Sequence, residues 1–303
     1  MKILNFGSLN IDYTYKVEHI LLEGETLSAI DRNVYPGGKG LNQSVAFACA
    51  GAEVWHAGAL GKKDGQLLLE VLLEIGVHLD YLKMLDDVPS GHTFIQVDKN
   101  GQNCILVYGG ANTKIKVKDI DKTLENFGKD DYLVLQNEIN NIDYIIKQGK
   151  AKGMQIVLNP SPIDESIFEL PLDLVDFFLI NEIEASQLAS GDTDEEIMRN
   201  FLKKYPNSHL IMTIGSKGAY YAHKDFRVHH GIFDVPVVDT TAAGDTFTGY
   251  FMSFFAKGED PLTCLRLASA ASSIAVSKAG ASSSIPTIQE VELFLAECPD
   301  EGY

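Results

Sequence analysis

Tyr132-Leu133-Val134-Leu135, then Ile142-Asp143-Tyr144-Ile145-Ile146-Lys147-Gln148-Gly149-Lys150-Ala151-Lys152 closed by Gly153, then Gln155-Ile156-Val157-Leu158, form an apolar run, a segment of helical period and a second apolar run. Four-residue apolar runs are too short for helices and read as buried strands. Gly153 suits a helix stop because it adopts the left-handed conformation without penalty. Strand, helix and strand in succession are the unit of a parallel sheet with crossover helices. The same alternation runs outward in both directions. Ile3–Phe6, Phe177–Ile180 and Leu210–Ile214 are further apolar runs, and the helices Gln66–Ile75 and Glu182–Ala189 stop at Gly76 and before Gly191. The chain therefore reads as an α/β body.

Two regions break the alternation. Residues from about Tyr13 to Tyr35 and from His92 to Tyr108 look extended with no helix between them. Thr93–Val97 and Cys104–Tyr108 read as a hairpin across Asp98-Lys99-Asn100-Gly101, since Asn-Gly between β-prone runs favours a tight turn. These strands are either a small β appendage or edges of the main sheet. No repeat, low-complexity tract or Pro/Ser-rich linker divides the chain, so residues 1–303 are expected to form one domain with that appendage.

Composition narrows the functions. The chain has 303 residues, 45% hydrophobic and 22% charged, with a net charge of −17. That acidity argues against a nucleic-acid partner, because phosphate backbones reward clustered Lys and Arg. Cys49, Cys104, Cys264 and Cys298 lie far apart, in no metal or disulfide pattern, which fits reduced thiols in a cytoplasm. No stretch approaches the ~20 apolar residues of a membrane span. The histidines, among them His56, His92 and His230, have no spacing that singles out a site.

Two glycine-bearing motifs carry the chemistry. The first is Pro36-Gly37-Gly38-Lys39-Gly40-Leu41-Asn42-Gln43, feeding the small-residue run Ser44–Gly51. Its glycines allow a ligand to approach the backbone, and the small residues allow a helix to pack closely. Lys39 lacks the following Ser or Thr of a P-loop. The second is Val237-Val238-Asp239-Thr240-Thr241-Ala242-Ala243-Gly244-Asp245, an apolar strand entering a turn, followed by a helix with Phe247, Tyr250, Phe251, Phe254 and Phe255 at core spacing. Asp245 at a helix N-terminus could be only a cap. Ala242-Ala243-Gly244, however, has no bulk to cover its N–H groups, which leaves the positive end of the helix open to an anion. A carboxylate beside such a turn is what phosphoryl transfer uses, the turn holding charge on the phosphate and the carboxylate accepting a hydroxyl proton.

With both motifs at this separation, the chain resembles the PfkB carbohydrate-kinase family over nearly its whole length, from Gly7-Ser8-Leu9-Asn10-Ile11-Asp12 to Gly280–Pro286, and is most similar to its ribose-phosphorylating branch. The resemblance implies a Rossmann-like three-layer α/β/α sandwich with a mostly parallel sheet, and a small β-sheet lid formed by segments 13–35 and 92–108. It implies transfer of the ATP γ-phosphoryl group to a primary sugar hydroxyl, with Asp245 as base and the N–H groups of Ala242, Ala243 and Gly244 as anion hole. Asn10, Asp12, Gly38, Lys39, Asn42 and Glu138 would hold the sugar. Asn181, Thr213, Gly215, Gly218, Gly244 and Ser269 would line the ATP site, with Glu184 organising Mg2+ through water. Asp239, Thr241, Lys278, Gly280 and Ser284 would bind a monovalent cation such as K+. A homodimer through the lid is expected.

Two positions depart from the branch's pattern. Ser269 stands where a His is expected near adenine, and Leu41 replaces a small residue, so both bear on the choice of sugar and nucleotide fit. Fructose, 2-keto-3-deoxygluconate and nucleoside kinases share the two motifs, and a non-catalytic sugar- or nucleotide-binding regulator on the same fold is the reading from another class. A Rossmann dehydrogenase is excluded because no GxGxxG follows the first strand.

Overall fold

The computed structural model describes residues 1–298. Strands β1 (Ile3–Phe6), β2 (Asn10–Lys16) and β3 (Asp31–Gly37) precede helix α1 (Lys39–Cys49). Next come β4 (Val54–Gly61), α2 (Gln66–Glu74), β5 (His78–Leu85), β6 (Gly91–Val97), β7 (Asn103–Tyr108) and α3 (Val117–Leu124). The second half runs β8 (Tyr132–Gln136), α4 (Ile142–Ala151), β9 (Gln155–Asn159), β10 (Phe177–Asn181), α5 (Glu182–Leu188), α6 (Asp194–Lys204), β11 (His209–Thr213), β12 (Ala219–His223) and β13 (Phe226–His230). It closes with α7 (Ala243–Ala256), α8 (Pro261–Val276) and α9 (Ile288–Glu297).

Nine of these strands form one sheet in the order β13-β12-β11-β10-β9-β8-β1-β4-β5. It is parallel from β11 to β5, with β12 and β13 turning back antiparallel at one edge. Strand alternation sorts its side chains onto two cores. Leu133, Leu135, Ile156, Leu158 and Phe178 face Ile145, Ile146 and Phe201, whereas Val134, Val157, Phe177 and Leu179 face Phe47, Tyr250 and Leu265. Both faces are covered by helices, which is why these strands read as continuous apolar runs. The architecture is the expected three-layer α/β/α sandwich.

Strand β1 has β8 on one side and β4 on the other, so connections leave it in opposite directions. A crevice opens outside the carboxyl ends of the strands at such a switch point.

The two irregular regions form a separate four-stranded sheet in the order β3-β2-β6-β7. It begins earlier than the sequence suggests: Asn10 is already in β2, paired with Gly37 on one side and Gly91 on the other. Gly91 hides this boundary from a pattern reading. A Cβ there would come within 2.2 Å of Asn10 Oδ1, so the strand can start only on a glycine. Segment 17–30 lies outside the strands. The hairpin pairs Val97 with Asn103 across residues 98–102, and Asp98 N donates to Gln102 O. Its turn is thus longer than a two-residue Asn-Gly turn. Gly101 adopts φ +80° and the Asp98 carboxylate accepts from Asn100 N and Gln102 N, a three-residue connection with a bulge.

Candidate active site

The Asp245 motif departs from the sequence reading at its entry. Val237 and Val238 are exposed and belong to no strand; the N–H groups of Val238 and Asp239 both donate to Val276 O. Apolar character there does not mark a sheet element, because both β-type ladder positions are replaced by contacts to the end of α8. Ala242 is the N-cap of α7 at φ +60° and supplies no side-chain cap. The first rung of the helix is Thr246 N to Ala242 O at 2.8 Å, so the turn below it is bare backbone. Ala243 N makes only a 3.3 Å bond to Thr240 O.

Asp245 does not cap its helix. Its side chain is 7% exposed and turns to α1, where Oδ2 accepts from Asn42 Nδ2 at 3.0 Å and Oδ1 from Gln43 Nε2 at 2.9 Å. The two helices can come this close because Gly249, one turn further along α7, faces Ala46 of α1; a Cβ there would stand 2.3 Å from the Ala46 methyl. A carboxylate at the positive end of α7, fed by two amide donors, is held ready to accept one more hydrogen.

The residues expected on the sugar side gather around the Gly-Gly turn. Gly37 packs on the Asp12 carboxylate and Gly38, at φ +91°, lies against Asn10 N and Ser8. A Cβ on Gly37 would overlap Asp12 Oδ2, at 2.0 Å. Asp12 sits within β2, and its Oδ1 accepts from Thr93 Oγ1 at 2.6 Å. Burial pushes the Asp12 carboxyl up to about 6, against the Thr93 hydrogen bond and with help from the nearby Glu138 charge. Glu138, just past β8, accepts from Ser8 Oγ and from Lys39 N at 3.1 Å. Burial raises its pKa too, opposed by Lys39. The Lys39 ammonium is itself desolvated, yet the carboxylates of Asp245, Glu138 and Glu184 outweigh that and leave its pKa raised. One cation thus sits among three acids, at the centre of the cleft. Asn42 Oδ1 is buried without a partner, which suits a hydroxyl donor from a ligand. Leu41 is wholly buried among Leu9, Ile11 and Val45 and acts as core.

Beyond Asp245 the cleft continues into a cavity of about 600 Å3 lined by Thr213, Gly215, Gly218, Gly244 and Ser269. Gly218, at φ +100°, lies so close to the His230 carbonyl that any Cβ would overlap it. The hairpin of β11 and β12 is thus also a wall of this cavity. Asn181 and Glu184 cap α5 reciprocally: Asn181 Oδ1 accepts from Glu184 N and Glu184 Oε2 from Asn181 N. Both also line the small recess shared with Lys39 and Asp245. Among the described residues no cluster of three or more His, Cys, Asp and Glu could cage a metal. At this recess the single carboxylate of Glu184 does fit Mg2+, which keeps most of its waters and takes few protein ligands.

The expected monovalent-cation residues come together only in part. Asp239 accepts from Thr241 N and Oγ1 and from Gly280 N, joining the two loops. Lys278 pairs with Glu290 and has only its main-chain oxygen to offer a cation, whereas the Ser284 hydroxyl donates to Ala281 O and keeps its lone pairs.

Several residues around the site escaped the sequence reading. Asn112 Oδ1 accepts from Leu9 N and its Nδ2 donates to Asn10 Oδ1 at 2.8 Å, fixing the Asn10 amide. Asn5, Gln43 and Gln136 are fully buried and hydrogen-bonded to one another behind Asp245. The available signal was a carboxamide inside an otherwise apolar strand: Asn5 in Ile3–Phe6 and Gln136 after Tyr132–Leu135.

The family model for pfkB family carbohydrate kinases matches residues 1–288. A ribokinase of Staphylococcus aureus is 35% identical over 302 residues, covering 96% of this chain and 98% of that protein. A deoxyribokinase of Salmonella typhi is 32% identical over 307 residues, covering 98% and 99%. The solved structure of Arabidopsis thaliana ribokinase complexed with ribose and ATP has a TM-score of 0.86 and 32% identity, with 97% of this chain and 98% of that chain covered.

Proposed function

The chain belongs to the pfkB family of carbohydrate kinases, phosphotransferases with an alcohol group as acceptor, and on that premise we propose that it phosphorylates ribose at its primary hydroxyl using ATP. The observation that carries the proposal is the position of Asp245. Its carboxylate stands between hydroxyl-binding groups on one side and a bare helix N-terminus with a nucleotide-sized cavity on the other. Asn10, Asp12, Asn42 and Glu138 hold the sugar, and site groups paired with hydroxyls reject analogues that lack them. Asp245 takes the proton of the primary hydroxyl while that oxygen bonds to the γ-phosphorus and the bond to ADP breaks. The first turn of α7 and Lys39 hold the charge of the transferring group. Mg2+ bound with the nucleotide would supply further charge neutralisation, and Glu184 would hold it through water. A monovalent cation such as K+ would be held near the Asp239–Gly280 junction.

The four-stranded sheet serves as a lid over the sugar. All of β7 is exposed, with Ile105 at 52% and Leu106 at 68%, and that apolar strand supports a homodimer joined lid to lid.

ADP release measured over ribose, 2-deoxyribose, fructose, 2-keto-3-deoxygluconate and nucleosides, with and without K+, tests the reading. Ribose should give the highest kcat/KM. Preference for 2-deoxyribose would move the assignment to that sugar, and no turnover on any acceptor would overturn it.

A further inference from the structure

The base is not held by the site alone. Behind it runs a row of buried amides that the phosphoryl chemistry does not itself require. Gln43 Nε2 donates to Asp245 Oδ1 at 2.9 Å, and Gln136 Nε2 donates both to Gln43 Oε1 at 2.7 Å and to Asn5 Oδ1 at 2.9 Å. Asn5 Nδ2 donates to Gly40 O at 2.7 Å and to Ser44 Oγ at 2.8 Å. Ser44 Oγ in turn lies 2.8 Å from His56 Nδ1. Asn5, Gln43, Ser44, Gln136 and His56 are all at 0% exposure.

The polarity of this row is fixed from both ends. The Gly40 carbonyl can only accept, which turns the Asn5 amide nitrogen toward it and leaves Asn5 Oδ1 for Gln136. Gln136 must then present its nitrogen, so Gln43 must present its oxygen to Gln136 and its nitrogen to Asp245. No member can reverse without setting two donors or two acceptors face to face in a dry core, where an unmet polar group is costly. Asn42, the other donor to Asp245, is different. Its Oδ1, like Oε1 of Gln136, has no partner within the protein, but no member of the row fixes which end of its amide faces Asp245. A proton on the Oδ1 lone pair that faces Gln43 would therefore meet its N–H head on, while a proton on Oδ2 can be met by a turned Asn42.

We infer that Gln43 is a positioning residue which, locked by Gln136 and Asn5, keeps one lone pair of Asp245 Oδ1 occupied by a donor that cannot reverse and leaves Oδ2 as the preferred proton acceptor. The hydroxyl proton goes to Oδ2, and the carboxylate cannot rotate its oxygens during the cycle. This inference rests on Asp245 being the base.

The test compares three variants of the full-length protein with ribose and ATP. Asp245→Asn examines the premise, and turnover near that of the parent removes the base assignment and this inference with it. With that premise upheld, Gln43→Leu, close in volume, should lower kcat by about 30- to 100-fold, corresponding to a charge-assisted hydrogen bond. KM for both substrates should change less than about threefold, and the acid limb of the kcat/KM profile should move up by about one pH unit, because the carboxylate loses a donor. Gln136→Met leaves Gln43 in reach of Asp245 but unlocked, and should shift kcat and the acid limb the same way by a smaller amount. ADP binding by each variant counts the folded sites, so rates are taken per competent molecule. An unmoved acid limb with unchanged kcat per folded site in Gln43→Leu overturns the proposal while leaving Asp245 as base. If Gln43→Leu does not fold, an unmoved profile in Gln136→Met does the same.

Discussion

Replacing Asp12 by Asn should stabilise the protein while weakening its hold on the sugar. Burial, opposed by Thr93 and aided by the Glu138 charge, raises the Asp12 carboxyl from 3.8 to about 6. A folded value above the unfolded one means that the folded state binds the proton more tightly. The group's contribution is thus fully present below about pH 3.8 and is lost as pH rises through about 6. At pH 8 the charge costs about two pH units at 1.36 kcal/mol each, about 3 kcal/mol. The neutral amide of the Asp12→Asn variant would keep the shape and still accept from Thr93 Oγ1, so most of that cost should be recovered. For a chain of this length the unfolding entropy is about 0.6 kcal/mol/K, and 3 kcal/mol is about 5 °C in Tm. Thermal unfolding of both proteins at pH 8 and pH 5 measures it. The gain should be about half as large at pH 5, where the folded carboxyl is mostly protonated. KM for ribose should meanwhile rise about 10- to 100-fold at pH 8, since neutral acceptors bond hydroxyls more weakly than charged ones. A Tm that falls at pH 8, or rises equally at both pH values, would refute the reasoning.

Gly249→Ala puts a methyl 2.3 Å from that of Ala46 and must part α1 from α7. It should cost about 1–3 kcal/mol of stability and, through the Asn42 and Gln43 bonds to Asp245, at least tenfold in kcat, read from steady-state rates alongside urea unfolding. A stability loss with unchanged kcat per folded molecule would show that the helix spacing does not set the base. His209 is pushed down to about 4 by burial and then by the His223 and Lys224 charges. A depressed value means stability present above about pH 6.5 and lost as pH falls toward 4. His209→Phe, stacked on Phe177, should therefore flatten the pH dependence of the urea midpoint between 6 and 4 by up to about 1.4 kcal/mol per pH unit. Leu106→Glu, on the exposed face of β7, should yield monomers by light scattering at micromolar concentration if the lid face joins two copies; an unchanged dimer would place the interface elsewhere.

The layered body was legible in the sequence because buried parallel strands have no polar face, so Tyr132–Leu135 and Gln155–Leu158 stand out as runs, and Gly76 and Gly153 adopt the left-handed stop that a helix end favours. What escaped was set by contacts distant in sequence. Asp245 reads locally as a helix cap, and only Asn42 and Gln43, some two hundred residues earlier, show that its side chain leaves its own helix. Val237 and Val238 read as a strand on composition, yet they join no sheet, and the N–H groups of Val238 and Asp239 go to Val276 O at the end of α8. The early start of β2 turned on Gly91, whose missing Cβ carries no periodicity.

The nine-stranded sheet can be followed from β1 to β13 without using β2, β3, β6 or β7. Those four strands arrive as two inserts, one between β1 and α1 and one after β5. Asn10 and Asp12 belong to the inserts, whereas Asp245 and its amide support belong to the body. On the proposed reading, exchanging the inserts would replace Asn10 and Asp12, while Asn42, Glu138 and Asp245 would stay with the body. New acceptors should be sought by recombining residues 10–37 and 91–108 as a pair, since each insert alone would leave β2 or β6 without its neighbour.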